Sequence, residues 1–322
     1  MSHDHERVCL ITGASAGIGL ATAVGLARLG GRVVLVCRDA GRGATAVDRV
    51  RRGGAAGANV DLLLADLSSQ RSVRQLAGEI CDRYPRLDAV IQNAGVVALQ
   101  RRVTEDRIEL QLAVNHLAPF LLTQLLRGPL AASGAGRVVI VASQVERHGT
   151  IRFDDLQGER HYDALEAYSQ SKLGNVLFTY ALAERWAGTG ITVNCLHPGV
   201  VRSQLLENMW AAETKPAPSP SQSPSIAGAA GDLLRGGLRR GLGAIRSRIP
   251  GFAPRRPEGG PLTPEEGAKT SIFVATAPEL AGVSGRYFRE LAEARTSPRS
   301  YDTAVRERLW SVSADLVGLA AG

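Results

Sequence analysis

The chain has 322 residues, 44% of them hydrophobic, which is enough to bury the core of one large or two small α/β domains. It contains no run of about 18 apolar residues and no charged-then-apolar leader, so the sequence predicts a cytoplasmic protein without membrane span or signal peptide. The formal net charge of +7 arises from residues 235–256, which hold seven arginines and no acid, so no broad basic face for nucleic acid is predicted.

Short apolar runs alternate with helical patterns along the chain. The first unit reads as a strand at "RVCLITG", a helix at "GIGLATAVGLARLG" and a second strand at "GRVVLVCR". Further strands are predicted at "NVDLLLADL", "LDAVIQNAG", "GRVVIVAS" and "ITVNCLHPG", with helices at "SVRQLAGEICDRY", "RIELQLAVNHLAPFLLTQLL" and "EAYSQSKLGNVLF". This alternation predicts a single α/β domain over residues 1–322, a doubly wound (Rossmann) parallel sheet with helices on both faces. Its ligand would bind at the carboxyl ends of the strands.

The cysteines do not have metal-ligand spacing. Cys9, Cys37 and Cys195 lie in apolar, strand-like runs, and Cys81 stands apart from them. Buried free thiols are the expected state, and no metal site is predicted. The histidines at positions 3 and 5 are interpreted as part of a disordered tail.

The turn after the first strand, "TGASAGIG", is a candidate phosphate site. Gly13, Gly17 and Gly19 allow a tight turn and let backbone N–H groups approach a phosphate at the start of the next helix. The spacing GxxxGxG differs from GxGxxG, and glycine used for close packing is the alternative interpretation. After the second strand, Arg38 stands where an acidic residue would bind the 2′-OH of NAD, so a 2′-phosphate is favoured.

Tyr168 and Lys172 are four residues apart on a predicted amphipathic helix and therefore share one face. A neighbouring cation favours the ionised form of a phenol, which would suit Tyr168 to general acid/base work near neutral pH. Taken alone, the pair also fits an ordinary solvated helix face.

Seven motifs occur in the order found in the short-chain dehydrogenase/reductase family, and the chain resembles that family over nearly its whole length. Within the family, "DLQGERHYDALEAYSQSKLGNVLF", "HPGVVRS", "SGRYF" and "ERLWSVSADLVGL" are similar to the retinol dehydrogenase and WW-domain oxidoreductase branch. The motifs are "TGASAGIG", "AD", "NAG", "VN", "VAS", "YSQSK" and "HPG".

The resemblance implies a catalytic set of Asn115, Ser143, Tyr168 and Lys172. Tyr168 would exchange a proton with the substrate oxygen, and Ser143 would hydrogen-bond the same oxygen as charge develops. Lys172 would lower the tyrosine pKa and bind the nicotinamide ribose, while Asn115 would hold a water that links Lys172 to solvent.

The resemblance also implies an NADP(H) site, with NADP(H) favoured over NAD(H). Asp66 would meet the adenine, residues 93–95 would line the ribose side, and Val201 and Ser203 would lie near the carboxamide. The complete set of expected cofactor-binding residues is Gly13, Ser15, Ala16, Gly17, Ile18, Gly19, Arg38, Asp66, Leu67, Asn93, Ala94, Gly95, Tyr168, Lys172, Pro198, Gly199, Val201 and Ser203.

Some positions depart from the family pattern. Gln92 replaces the first asparagine of the common "NNAG", a change that affects no catalytic assignment. Ser143 and Tyr168 are farther apart than in many members, and His148 and His161 fall in the longer loop. Contact with substrate is one interpretation of these histidines, and surface positions are the favoured one. Vertebrate members of the branch usually have an N-terminal membrane anchor, which is not expected here.

Residues 211–262 are predicted to form an insertion of two parts. "ETKPAPSPSQSPS" is rich in Pro and Ser and is typical of a linker, whereas residues 226–249 have the apolar spacing of a basic, glycine-rich amphipathic helix. A lid over an apolar substrate, a membrane-surface contact and a poorly ordered insertion all remain open.

The sequence therefore predicts an NADP(H)-dependent oxidoreductase that interconverts a carbonyl and an alcohol on a bulky apolar substrate. Reduction of a carbon–carbon double bond and a non-catalytic NADP-binding scaffold or sensor are the alternatives. The intact catalytic set argues against a scaffold, which would need the glycine turn but no acid/base. A homodimer and a weak membrane contact through 226–249 stay open.

Overall fold

An eight-stranded sheet forms the centre of the protein. The computed structural model describes residues 6–202, 205, 207 and 260–320. The sheet order is β3-β2-β1-β4-β5-β6-β7-β8, parallel throughout except that β8 runs antiparallel to β7. The predicted doubly wound parallel sheet is thereby confirmed, with an added antiparallel edge. The strands are β1 (Val8–Thr12), β2 (Arg32–Cys37), β3 (Val60–Leu64), β4 (Ala89–Gln92), β5 (Arg137–Val141), β6 (Thr192–His197), β7 (Tyr287–Arg289) and β8 (Ala292–Glu293).

Helices cover both faces of this sheet. One face packs against α1, α2 and α8, and the other against α3, α5, α7 and α9. The helices are α1 (Gly17–Arg28), α2 (Ala40–Gly53), α3 (Gln70–Arg83), α4 (Leu110–Leu112), α5 (Ala118–Leu125), α6 (Arg127–Ala132), α7 (Ala164–Arg185), α8 (Pro264–Thr276) and α9 (Thr303–Leu316). Between α4 and α5 the chain forms a π-helical segment, Ala113–Leu117, within the stretch predicted as one long helix.

The strands read as continuous apolar runs because alternate side chains enter two different cores. In β1, Leu10 joins the core under α3, α5 and α7, whereas Cys9 and Ile11 join the core under α1, α2 and α8. Cys9, Cys37 and Cys195 are buried free thiols as expected, and Cys81 is exposed. Among the described residues, no cluster of metal-ligating side chains is found.

Helix α7 is more deeply buried than an amphipathic helix. It begins after Asp163, whose carboxylate accepts hydrogen bonds from the backbone N–H groups of Leu165 and Glu166 at 2.9 Å. Every residue of 168–182 is buried, because α7 packs against β5, β6, the π segment and α9. The prediction of an amphipathic helix was wrong: this element is enclosed on all sides along most of its length.

The predicted insertion 211–262 lies outside the described residues except for its last three positions. Its flanks are nevertheless joined: Arg202 N donates to Leu262 O at 2.9 Å, and Leu262 N donates to Val200 O at 2.8 Å. The described residues before the insertion, 200–202, therefore lie beside its last residue, Leu262, near the carboxyl end of β6. No helix within the described ranges is long and apolar enough to cross a membrane.

Candidate active site

A cavity of about 1010 Å³ lies at the carboxyl ends of the parallel strands. Its wall is formed by residues from the glycine turn, from α7, from the segment 143–148 after β5 and from the carboxyl ends of β2, β3, β4 and β6. Every predicted cofactor-binding residue lies in this wall except Ser203, which is outside the described residues. The structure therefore brings together groups that are distant in the chain, from Gly13 to Val201.

The glycine turn is packed against the end of β4. Gly13 has φ +67°, and a Cβ there would lie 2.8 Å from Ala94 Cα. A Cβ on Gly19 would lie 2.4 Å from Gly13 O and 2.5 Å from Asn93 Nδ2. Helix α1 begins at Gly17 with no side-chain cap, so its first N–H groups stay available at the cavity. Close packing of the turn is thus observed, and the uncapped N–H groups leave anion binding as a prediction.

Two polar residues hold the turn in place, one of them missed by the sequence reasoning. Asn93 Nδ2 donates to Thr12 O at 2.9 Å and Gly13 O at 3.3 Å. Thr12 Oγ1 in turn accepts from the backbone N–H groups of Asn93 and Ala94, at 3.0 and 3.1 Å. Asn93 lines the cavity, but its amide is committed to the backbone, so its role is to join β1 to β4.

Two arginines flank the β2 end of the cavity. Arg38 and Arg42 are exposed, line the cavity, and form no ion pair with any other described residue. Asp39, between them, accepts from Arg42 N at 2.8 Å and caps α2. Arg42 was not predicted, since its place in the first turn of α2 emerges only from the fold.

At the β3 end, Asp66 Oδ1 accepts from the backbone N–H and the hydroxyl of Ser68, at 2.9 and 2.7 Å. These bonds fix the carboxylate in the exposed cavity wall and leave its second oxygen available to a ligand.

Tyr168, Ser143 and Lys172 meet at the other part of the cavity. The Ser143 hydroxyl lies beside the Tyr168 phenol and acts to lower its pKa, and Lys172 Nζ lies 5.6 Å from the centre of the tyrosine ring. Lys172 Nζ also donates to Val141 O at 2.9 Å. Tyr168 is 4% exposed and Lys172 3%, so both polar groups act in a largely desolvated environment.

Burial decides the protonation of this pair. Burial raises the pKa of Tyr168 above its ordinary value, and the hydrogen bond from Ser143 opposes that rise. Burial also lowers the pKa of Lys172 to about 8. The expected net lowering of the tyrosine pKa is therefore not found, because desolvation of the phenolate outweighs the opposing effect of Ser143.

Asn115 lies behind the cavity wall in the π segment. Its Nδ2 donates to Val96 O and Ser171 Oγ, both at 3.0 Å, and its Oδ1 accepts from Val96 N at 2.8 Å. Both amide hydrogens are used within the protein. The side chain consequently joins the chain after β4 to α7, and the expected water-holding role stays a prediction.

The positions of the histidines differ in part from the sequence interpretation. His161 is exposed as expected, but His148 lines the cavity, which corrects its assignment to the outer surface. His197, which the sequence reasoning missed, also lines the cavity; burial lowers its pKa to about 4. Its ring is therefore neutral at physiological pH.

The site fits a nicotinamide dinucleotide. The cavity volume is at the upper end of the roughly 300–1000 Å³ range of small-molecule sites. One end offers helix N–H groups behind a turn that a single added Cβ would fill, which suits a pyrophosphate. The opposite end offers a proton-transfer group, Tyr168, with a hydrogen-bonding partner and a buried amine.

A family model for short chain dehydrogenase matches residues 7–214. This chain belongs to the short-chain dehydrogenase family. It is 39% identical to retinol dehydrogenase 14 of Mus musculus, over 98% of this chain and 87% of that protein. It is 38% identical to human (Homo sapiens) retinol dehydrogenase 13, with 98% and 86% covered.

Solved structures of the family share the fold. A protein from Mycobacterium paratuberculosis superposes with a TM-score of 0.69 at 26% identity, covering 98% of this chain and 95% of that one. An actinorhodin polyketide ketoreductase variant with NADPH gives 0.64 at 25% identity, with 89% and 97% covered. Family membership and the catalytic geometry together make this short-chain dehydrogenase an NAD(P)-dependent oxidoreductase acting on CH–OH groups.

Proposed function

We propose that this short-chain dehydrogenase uses NADP(H) to interconvert an alcohol and a carbonyl on a bulky apolar substrate of the retinoid type. The meeting of Ser143, Tyr168 and Lys172 at one end of the large cavity carries the proposal. The substrate class is supported by the similarity to retinol dehydrogenases.

In this proposal, side chains of the protein donate and accept the proton that is exchanged with the substrate oxygen. When bound, the dinucleotide supplies or accepts the hydride. In the reducing direction, the raised pKa of Tyr168 keeps its phenol protonated, so that it donates to the substrate oxygen. Ser143 hydrogen-bonds that oxygen, and Lys172, cationic below its pKa of about 8, stabilises the phenolate that remains. In the oxidising direction the same groups act in reverse.

The surroundings of Tyr168 favour an apolar substrate. Val97 and Val145 are buried beside the tyrosine ring, and Leu205 packs against them. Because Val97, Val145 and Leu205 also line the cavity, an apolar substrate would displace water from them on binding.

The two arginines at the β2 end support NADP(H) over NAD(H). A 2′-phosphate placed between Arg38 and Arg42 would gain charge-assisted contacts worth about 1.5 to 3 kcal/mol, or roughly ten- to a hundredfold in affinity. We expect Arg38→Ala and Arg42→Ala to weaken NADPH binding and leave NADH binding unchanged. Dissociation constants from fluorescence titration measure this, with exposed Arg52→Ala of α2 as control. A parent protein that prefers NADH would contradict the choice.

Turnover distinguishes the proposed reaction from its alternatives. The purified protein is assayed with NADPH against all-trans-retinal, other apolar aldehydes and ketones, and enones, with product identified by chromatography. Alcohol formation from the carbonyl is expected. A saturated ketone formed from an enone would favour double-bond reduction, and NADPH binding without any turnover would favour the scaffold.

Three expectations from the sequence remain proposals. Residues 226–249 would contact anionic membranes. Co-sedimentation with phosphatidylserine vesicles at low and high salt tests this, since such binding weakens as salt rises.

A homodimer is tested by light scattering of the full chain. The cytoplasmic location is tested by fractionation of the cells that make the protein.

A further inference from the structure

The segment that carries Ser143 is joined to the C-terminal part of the chain through a buried acid. Ser143 begins a short 3-10 helix, Gln144–His148, in which Glu146 is 0% exposed. Both oxygens of the Glu146 carboxylate are used: one accepts from Ser297 N at 3.0 Å, the other from Ser297 Oγ at 2.6 Å. The two partners are 151 positions apart in the chain.

Further hydrogen bonds join the same two stretches. All of them involve arginine side chains that reach backbone or hydroxyl oxygens on the opposite stretch. They run from Arg147 Nη2 to Arg295 O, from Arg299 Nη1 to Gly149 O and from Arg299 Nη1 to Thr150 Oγ1, each at 2.8 Å.

Burying a carboxylate is costly unless its hydrogen bonds are satisfied, which makes the placement of Glu146 specific. Burial raises its pKa, and the bonds from Ser297 oppose this. A buried carboxylate bound by two donors of one residue can occupy only a narrow range of positions.

Glu146 is tied in turn to the catalytic serine. Its backbone N–H donates to Ser143 O at 3.1 Å, and Val145 N donates to Ser143 Oγ at 3.4 Å. A displacement of Glu146 would therefore turn the backbone from which the Ser143 hydroxyl reaches Tyr168.

We propose that Glu146 and Ser297 are positioning residues that hold the Ser143 hydroxyl against Tyr168. The C-terminal segment, residues 295–300, thereby supports an active site whose Ser143, Tyr168 and Lys172 lie within the family-model span 7–214. The inference rests on the proposed function for its kinetic consequence. Its structural content, a dependence of residues 143–150 on Ser297, stands separately.

The kinetic test uses Ser297→Ala and Glu146→Gln in the full chain, with NADPH and an apolar aldehyde. Misplacement of a catalytic group by a fraction of an ångström to an ångström lowers kcat by about ten- to a hundredfold, while NADPH affinity should stay within about threefold. Ser284→Ala is the matched control: its hydroxyl accepts from Val193 N at 3.0 Å, at the amino end of β6 away from the cavity. We expect it to leave kcat unchanged.

A double-mutant cycle separates positioning from simple destabilisation. In a Ser143→Ala background, Ser297→Ala should cause no further loss of kcat, because the group that Ser297 positions is gone. Glu146→Gln retains one acceptor for Ser297 and should lose less activity than Glu146→Ala. Equal losses in the parent and the Ser143→Ala background would overturn the proposal.

Amide hydrogen exchange gives a readout that needs no substrate. Ser297→Ala should speed exchange in residues 143–150 and leave the amides of β1 and β2 protected, whereas Ser284→Ala should not affect 143–150. Unchanged exchange in 143–150 overturns the proposal even if the variant is less active. If the parent turns over no carbonyl, the proposed function fails, and exchange still decides the positioning role.

Discussion

Two opposing effects act on the pKa of the buried Tyr168 phenol. Burial raises its pKa, whereas the hydroxyl of Ser143 stabilises the phenolate. Lys172, with its pKa lowered to about 8 by burial, can itself release a proton near physiological pH. The Tyr168 phenol is thus held protonated near neutral pH, as its proposed role as proton donor requires.

Replacing Tyr168 should remove catalysis and spare cofactor binding. In Tyr168→Phe the ring keeps its packing against Val97 and Val145, but no phenol proton is available in the transition state. We expect turnover below about a tenth of the parent value and an NADPH dissociation constant within a few fold. Steady-state kinetics and fluorescence titration measure the two quantities. Turnover near the parent rate would remove Tyr168 as the acid/base.

The glycine turn allows an equally local prediction. In Gly19→Ala the new Cβ would lie 2.4 Å from Gly13 O, so the turn must move and NADPH affinity should fall about tenfold or more. Gly78→Ala, on the exposed face of α3 with nothing within 4 Å, is the control. It should stabilise the protein by about 0.4–1 kcal/mol and leave affinity unchanged. Equal effects of the two substitutions would contradict the steric explanation.

At the scale of elements, α9 connects the π segment to α7. Trp310 of α9 packs with ring-centroid distances of 5.0 Å to Phe120 and 6.0 Å to Phe178, beneath the Arg185 guanidinium. On the same helix, Ser313 hydrogen-bonds His116 Nε2 at 2.9 Å, beside Asn115. The C-terminal helix therefore packs against the segment that carries Asn115, a residue of the predicted catalytic set.

Removing the indole should show how much this helix contributes. Trp310→Ala leaves a cavity among Phe120, Phe178 and α9 and is expected to lower the free energy of unfolding by about 3–5 kcal/mol. Leu29→Ala, at a side chain that is 61% exposed, should change it by no more than about 0.5 kcal/mol. Urea denaturation followed by circular dichroism measures both. A Trp310→Ala cost near that of Leu29→Ala would contradict the docking role.

For the whole molecule, two buried histidines predict sensitivity to acid. Burial lowers the pKa values of His116 and His197 to about 4, while the unfolded chain has the ordinary value near 6.5. Between these values the unfolded state binds more protons, so the free energy of unfolding falls as pH falls from about 6.5 to 4. Each histidine contributes roughly 3 kcal/mol at most over that window.

Histidine variants separate the effect of the buried histidines on acid stability from the opposite effect of buried carboxylates. Burial raises the pKa values of Glu109 and Glu146, which favours the folded state in acid. The test is therefore the difference in unfolding free energy between about pH 7 and pH 5. His116→Gln should reduce that difference, and exposed His161→Gln should leave it unchanged. A slope unaffected by His116→Gln would contradict the assignment.

Local pattern was sufficient for the architecture, and most of the residues predicted for the site line the cavity. Apolar strands alternating with helices specified the parallel sheet, since a strand buried on both faces needs no polar alternation. Helical spacing placed Tyr168 and Lys172 on one face, because spacing is a property of neighbouring residues, and the family resemblance then predicted their catalytic roles. The same reasoning missed the antiparallel β8 and the burial of α7, which depend on what packs against each element.

What the sequence by itself determined is the doubly wound fold and the carboxyl-end location of the site, and its family resemblance predicted Tyr168 as the acid/base group. Only the tertiary structure decided the direction of the Tyr168 pKa shift, because desolvation depends on all surrounding elements. It also decided that Arg42 joins Arg38 and that Glu146 meets Ser297. Helix or strand periodicity does not predict these contacts, and they form only when the chain has folded.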